Sequence, residues 1–180
     1  MPKFTDLMID FETLDTVASA VILSIGAVRF NIDTGEIDDR GFYASITVES
    51  NLAMGRTISD STLKWWMQQS PAAQAVFTEP KTTLELALGE FYEWFGPEDK
   101  DMRVWSNGAD FDIPMLAHAA RGFDWELPWK FWNHKCFRTL KGLPAAKRAK
   151  SIPPPKTAHN ALDDALAQAT HACAIWKELK

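Results

Sequence analysis

Met8-Ile9-Asp10-Phe11-Glu12-Thr13 lies in an apolar run that begins at residue 4. Side chains at i and i+2 of a strand leave the same face, so Asp10 and Glu12 stand together with backbones about 6–7 Å apart. Apolar residues at both phases of the alternation predict a strand over 4–11 that is covered on both sides. Two carboxylates in such a place repel, and burying either one unpaired costs several kcal/mol. A divalent cation removes the conflict, because hard cations take carboxylate oxygens. A strand whose polar face is merely wet would also tolerate the pair, so the choice depends on the rest of the chain.

Residues 20–30 (AVILSIGAVRF) have the β-branched character of a second buried strand, Asn31 to Gly35 a turn, and residues 41–48 a third strand. Together these predict an antiparallel three-stranded meander. Ser59 or Asp60 can cap a helix running to about residue 69, Pro71 can open a short one, and residues 83–95 have helical apolar spacing. Further on, a strand is expected over 102–106, a helix over 112–121, a strand near 131–137 and a last helix over 160–179, its apolar stripe formed by Leu162, Leu166, Ala169, Cys173 and Trp176. Pro153-Pro154-Pro155 makes residues 147–156 a loop. The order predicts an α/β fold of one domain over 1–180: a mixed β-sheet, with the antiparallel meander joined to parallel strands, flanked by helices. Many chemistries occupy such folds, so function has to come from the site.

Bulk properties narrow the setting. The 180 residues, 46% apolar, suffice for one ordinary core. Cys136 and Cys173 are far apart and match neither a disulfide framework nor a metal pair, which predicts buried thiols in a reducing, cytoplasmic environment. No signal-like or membrane-length apolar segment is present in the sequence. The net charge of −5 is segregated: between residues 127 and 156 there are eight Lys and Arg and no acid, leaving 11 basic against 24 acidic residues elsewhere. One surface suited to phosphates and another rich in carboxylates is the expected consequence, with a solvated basic loop as the plainer alternative.

Two later segments give the acidic pair company. Ser106-Asn107-Gly108-Ala109-Asp110-Phe111-Asp112 joins an expected strand to a helix, and His159-Asn160-Ala161-Leu162-Asp163-Asp164-Ala165 opens the last helix. With the D-x-E-T of Asp10 to Thr13, the chain resembles the DEDDh branch of the DnaQ-like 3′→5′ exonucleases, within the ribonuclease H-like superfamily. The motifs match in order and separation from Asp10 to Asp164, individually weak but strong together. The resemblance implies four metal-holding carboxylates, Asp10, Glu12, Asp112 and Asp164, two divalent ions (Mg²⁺ or Mn²⁺), and His159 as general base. One ion would activate water and the other steady the leaving 3′ oxygen. Two departures leave choices open. The middle motif holds one extra residue before Asp112, so Asp110 competes with it, and Asp163 competes with Asp164, although Phe111 before the one and Ala165 after the other favour the pair named. His118, His134 and His171 lack such company and are expected to be structural.

The implied partner is a single-stranded nucleic acid with a free 3′ end. Thr13 and Leu14 follow the acidic pair and, as in relatives, would meet the terminal nucleotide, Leu14 pressing on its base. Trp65 and Trp66, about 100° apart around a helix, cannot both sit deep in one core, and this Trp-Trp helix resembles a subset of bacterial and phage members in which an aromatic residue stacks on a base. Asn107 belongs to the middle motif, Arg138 could face phosphate or an acid of the site, and a loop carrying Lys147, Arg148 and Lys150 could follow the backbone of the strand. DNA is favoured slightly over RNA on the Trp-Trp resemblance. An exoribonuclease, an inactive module that binds nucleic-acid ends, and a ribonuclease H-like endonuclease are the alternatives. Relatives are often dimers, so the resemblance allows a homodimer.

Overall fold

The computed structural model describes residues 4–180; residues 1–3 of the expected domain lie outside the described residues. Strand β1 (Asp6–Thr13) is central. It pairs antiparallel with β2 (Ile22–Asn31) and parallel with β5 (Arg103–Ser106), while β6 (His134–Cys136) continues the parallel side. On the outer edge of β2 lie β3 (Glu36–Ile37) and β4 (Phe42–Ser45). The mixed sheet flanked by helices is thus as the sequence implies, with the third strand divided into β3 and a β4 shorter than residues 41–48.

The two faces of β1 explain why apolar residues occupy both phases of its alternation. Leu7, Ile9 and Phe11 pack with Leu84, Leu88 and Phe91 of helix α4 (Leu84–Phe95) and Ile113 and Leu116 of α5 (Asp112–Arg121). Met8, on the opposite face, joins Val28, Phe30, Trp105 and the alanines of α7 (Ala161–Lys177). Asp6 shares that second face, fully buried, and accepts hydrogen bonds from Ile32 N, Arg103 Nη2 and Trp105 Nε1 at 3.2, 2.7 and 2.8 Å. It ties β1 to β5 and to the turn after β2, holding the register that carries Asp10 and Glu12 to the strand's end.

Helix α7 departs from expectation in the face it buries. Ala161, Ala165, Ala169, Ala172 and Ile175 are inside, whereas Leu166 is exposed. The reason is proximity: a Cβ on Gly26 of β2 would lie 2.1 Å from Ala161 C, so the helix start rests directly on the strand backbone and only small side chains fit beneath it. Gly26 is also the residue opposite Asp10. The close approach therefore occurs beside the acidic pair.

Short elements fill the connections. Helix α1 (Val48–Ala53) was not expected from the pattern; its buried Asn51 donates to Ile22 O at 3.1 Å and accepts from Ile22 N at 3.0 Å. Helix α2 (Asp60–Trp66), capped by Ser59, ends sooner than residue 69, and Pro71 opens α3 (Pro71–Gln74). Residues 131–137 divide into a 3₁₀ turn, β6 and the start of α6 (Phe137–Lys141). Among the described residues, no helix is long and apolar enough to cross a membrane.

Candidate active site

Because β1 and β5 are parallel, their C-terminal ends open on the same edge, the usual place for a ligand crevice in such sheets. Asp10 and Glu12 leave β1 there. Just past β5, Gly108 takes φ +112°, and the chain turns into α5, whose first residue is Asp112, 1% exposed. Phe11 N donates to Asp112 Oδ1 at 3.0 Å, fastening this acid to β1. Asp110 is exposed and stands outside the cluster.

The third segment is positioned by capping. Asn160 Oδ1 accepts from Asp163 N at 3.1 Å, and Asp163 Oδ2 accepts from Thr157 N at 3.0 Å, so Asp163 holds the preceding loop. Asp164 instead accepts from His159 N at 2.8 Å through Oδ2. His159 adopts φ +63°, a left-handed conformation uncommon for a residue with a side chain and frequent at functional sites. Ligand atoms of Glu12, His159 and Asp164 all lie within 4.8 Å of one another. The structure thus brings Asp10, Glu12, Asp112, Asp164 and His159 together from β1, α5 and the start of α7.

Their electrostatics follow from crowding. Burial, then the Asp112 and Glu12 carboxylates, push Asp10 well above the ordinary carboxylate range. Glu12 is raised to about 8 by burial and by Asp164 and Asp112. Burial lifts Asp112 to about 7 against hydrogen bonds that oppose it, and Asp164 is likewise raised, chiefly by burial. Such a set of oxygen donors, held close and penalised as anions, suits hard divalent cations.

Three cavities border the acids. One of about 420 Å³ is lined by Phe11, Glu12, Thr13, Ser61, Thr62, Trp65 and Phe111, with Asp15 and Thr16 at its rim. Trp65, 41% exposed, faces it and stands edge-on to the His159 ring with centroids 4.9 Å apart. Trp66 is buried and donates through Nε1 to Thr13 O at 2.9 Å. One tryptophan lines the cleft, and the other braces the strand end. A second cavity, about 150 Å³, touches Asp10, Asn107, Asp112 and Arg138, with Arg138 Nη2 donating to Asn107 O at 2.8 Å. The third, about 370 Å³, lies between Asp164, Gln168, Asn107, Lys141, His171 and the proline run.

Other expected contacts fall elsewhere. Leu14 is 2% exposed, packed with Val21, Leu23 and Trp66, so its side chain supports the floor instead of pressing on a base. Lys147 and Arg148 lie toward the far end of α7, where Arg148 Nη2 donates to Glu178 O at 3.2 Å. At 1.5 Å rise per residue, Glu178 is about 21 Å along the axis from Asp164. Within the basic segment, Arg138 and Lys141 line cavities that also touch the acids. The other histidines are occupied structurally: His118 Nδ1 meets Arg56 Nη1 at 3.1 Å, His134 Nε2 accepts from Trp129 Nε1 at 3.1 Å, and His171 packs on Phe137. Gln168, missed in the sequence, donates to Asp10 Oδ1 at 2.7 Å; the available signal was its position one turn after Asp164 on the same helix face.

The family model for the Rv2179c-like 3′-5′ exoribonuclease domain matches residues 5–176. This chain belongs to that family. An exodeoxyribonuclease of Enterobacteria phage T4 is 27% identical to this Rv2179c-like domain over 191 residues, covering 88% of the chain and 83% of the phage protein. Among solved structures, exonuclease I superposes with a TM-score of 0.67 at 13% identity over 97% of the domain, and cell-death related nuclease 4 (CRN-4) with 0.62 at 14% over 95%. The domain spans 41% of the former chain and 63% of the latter. Escherichia coli exonuclease I in complex with a dA16 oligonucleotide gives 0.66 at 12% identity, over 96% of the domain and 41% of that chain. These likenesses share the fold, and with the family match they bear out the resemblance to the DnaQ-like 3′→5′ exonucleases drawn from the three motifs.

Proposed function

We propose that residues 1–180 form one metal-dependent 3′→5′ exonuclease domain of the DEDDh type, hydrolysing single-stranded nucleic acid from its 3′ end. The observation that carries this is the convergence of Asp10, Glu12, Asp112 and Asp164 with His159, three of whose ligand atoms lie within 4.8 Å. The four carboxylates would hold two Mg²⁺ or Mn²⁺ ions. When bound, these supply charge neutralisation at the phosphate and a more acidic water.

The chain's own residues do the rest. A water oxygen bonds to phosphorus, the P–O3′ bond breaks, and a nucleoside 5′-monophosphate leaves behind a strand with a new 3′ hydroxyl. The His159 ring takes the water's proton, a contribution of roughly 10²–10⁴ in rate. Its left-handed backbone and the edge of Trp65 aim the ring across the cleft. The terminal nucleotide occupies the cavity beside Glu12 and Thr13, where Trp65 and Phe111 offer faces for stacking, worth about 1–3 kcal/mol per base and indifferent to sequence. Arg138 and Lys141, on the other side of the acids, meet the phosphates of the remaining strand.

DNA is the first choice of polymer, supported by the phage relative; the family's description as exoribonuclease supports RNA as the second reading. A 5′-labelled oligonucleotide of each kind, incubated with Mg²⁺, tests both points. A ladder shortening one nucleotide at a time from the 3′ end, abolished by Asp10→Ala and reduced at least about 100-fold by His159→Ala, is expected. Internal cuts would reject exonuclease action, and full activity of either variant would remove that residue from the mechanism.

A further inference from the structure

Gln168 lies one turn beyond Asp164 on α7, and the two share a helix face. Its Nε2 donates to Asp10 Oδ1 at 2.7 Å, joining α7 to an acid of β1 across 158 residues of sequence. Its Oε1 is buried without a partner among the described residues, and so is Oδ1 of Asn107. Both side chains border the 370 Å³ cavity that Asp164 also lines. A buried acceptor left unsatisfied costs about 1–3 kcal/mol, a cost accepted in the orientation that turns Nε2 of Gln168 toward Asp10.

We infer that Gln168 is a positioning residue for the metal centre, its amide N–H fixing the orientation of Asp10 beside the cavity that Asp164 also lines. Hydrogen-bond partners behind a metal ligand commonly set affinity for the ion, because an unheld carboxylate must be ordered each time one binds. The donor matters as well as the length of the side chain. A glutamine presents N–H to Asp10 with no charge, whereas a cation here would compete with the metal and a carboxylate would add to the repulsion already present among four acids. The inference rests on the metal-dependent reading of the site.

Gln168→Met keeps volume and flexibility and removes both polar atoms; Gln168→Leu is a second variant should the first not fold, with circular dichroism as the check. Mn²⁺ titrated calorimetrically into wild type and variant, alongside the Mg²⁺ dependence of oligonucleotide hydrolysis, separates the outcomes. Mn²⁺ affinity is expected to fall about 10–100-fold, with the Mg²⁺ activation curve displaced to higher concentration by a similar factor and KM for the oligonucleotide at saturating Mg²⁺ unchanged. Wild-type Mn²⁺ affinity and an unshifted activation curve in a folded variant would overturn the role of Gln168 while leaving the nuclease proposal standing. Absence of Mn²⁺ binding by the wild type would overturn both.

Discussion

At the scale of single residues, the site is a set of carboxylates held where water would have separated them. This has a consequence for stability that can be measured without substrate. Glu12 and Asp112, ordinarily near 4.5 and 3.8, are raised to about 8 and 7 in the fold, so the metal-free folded chain keeps protons that the unfolded chain has released. Stability from these groups is fully present below about pH 4 and is lost as pH rises through 7 to 8. The Tm of chelator-treated protein should therefore fall between pH 5 and pH 8, and Mg²⁺ should restore more at pH 8 than at pH 5, since binding has to displace the protons. Glu12→Gln should flatten the dependence; a Tm level or rising over that interval in the metal-free wild type would contradict the raised pKa values. The tryptophans divide in the same way between function and support. Trp65→Ala should raise KM for short oligonucleotides roughly 5–150-fold, the equivalent of about 1–3 kcal/mol, with little change in Tm. Trp66→Ala should instead cost about 3–5 kcal/mol of stability, because it empties a filled pocket and frees Thr13 O.

At the scale of elements, the proposed function requires α7 to approach the sheet closely. Gly26 permits the contact, Ala161 makes it, and His159 and Asp164 flank it. Gly26→Ala should push the helix start away from Asp10, lowering stability by about 1–3 kcal/mol or more and lowering activity further than that loss of folded protein explains. A variant with wild-type turnover would show that the contact does not position the acids. The same contact shows where the sequence was legible and where it was not. Asp10, Glu12, Asp112, His159 and Asp164 could be singled out because they fall in three short motifs whose order and separation resemble those of a known family. The buried face of α7 could not, since hydrophobic patterning favours large residues such as Leu166 and gives no sign that a glycine on another strand demands alanines. Helix α1 escaped for a related reason: its buried residue is Asn51, satisfied by the backbone of β2, whereas patterning places asparagine outside. Gln168 looked like one more polar position because the partner that gives it meaning is 158 residues away.

At the scale of the whole molecule, charge is divided along the chain but distributed differently in space. Composition identifies a basic segment over 127–156 and cannot say where a loop runs. In the fold, Arg138 and Lys141 border the acid cluster, while Lys147 and Arg148 accompany the opposite end of α7. Arg138→Ala with Lys141→Ala should weaken oligonucleotide binding and reduce the slope of log K against log salt by up to about 2. Lys147→Ala with Arg148→Ala should leave binding of a short oligonucleotide and its slope unchanged. The reverse result would relocate the strand's path to the far end of α7. In the proposed function, what joins the sheet, the helices and the charge is the demand that four acids from three segments share cations. Crystals soaked in Mn²⁺ and measured for anomalous scattering examine that demand directly. Two peaks about 4 Å apart, bounded by Asp10, Glu12, Asp112 and Asp164, are expected; a map with no peak among these carboxylates, or with manganese bound only elsewhere, would contradict it.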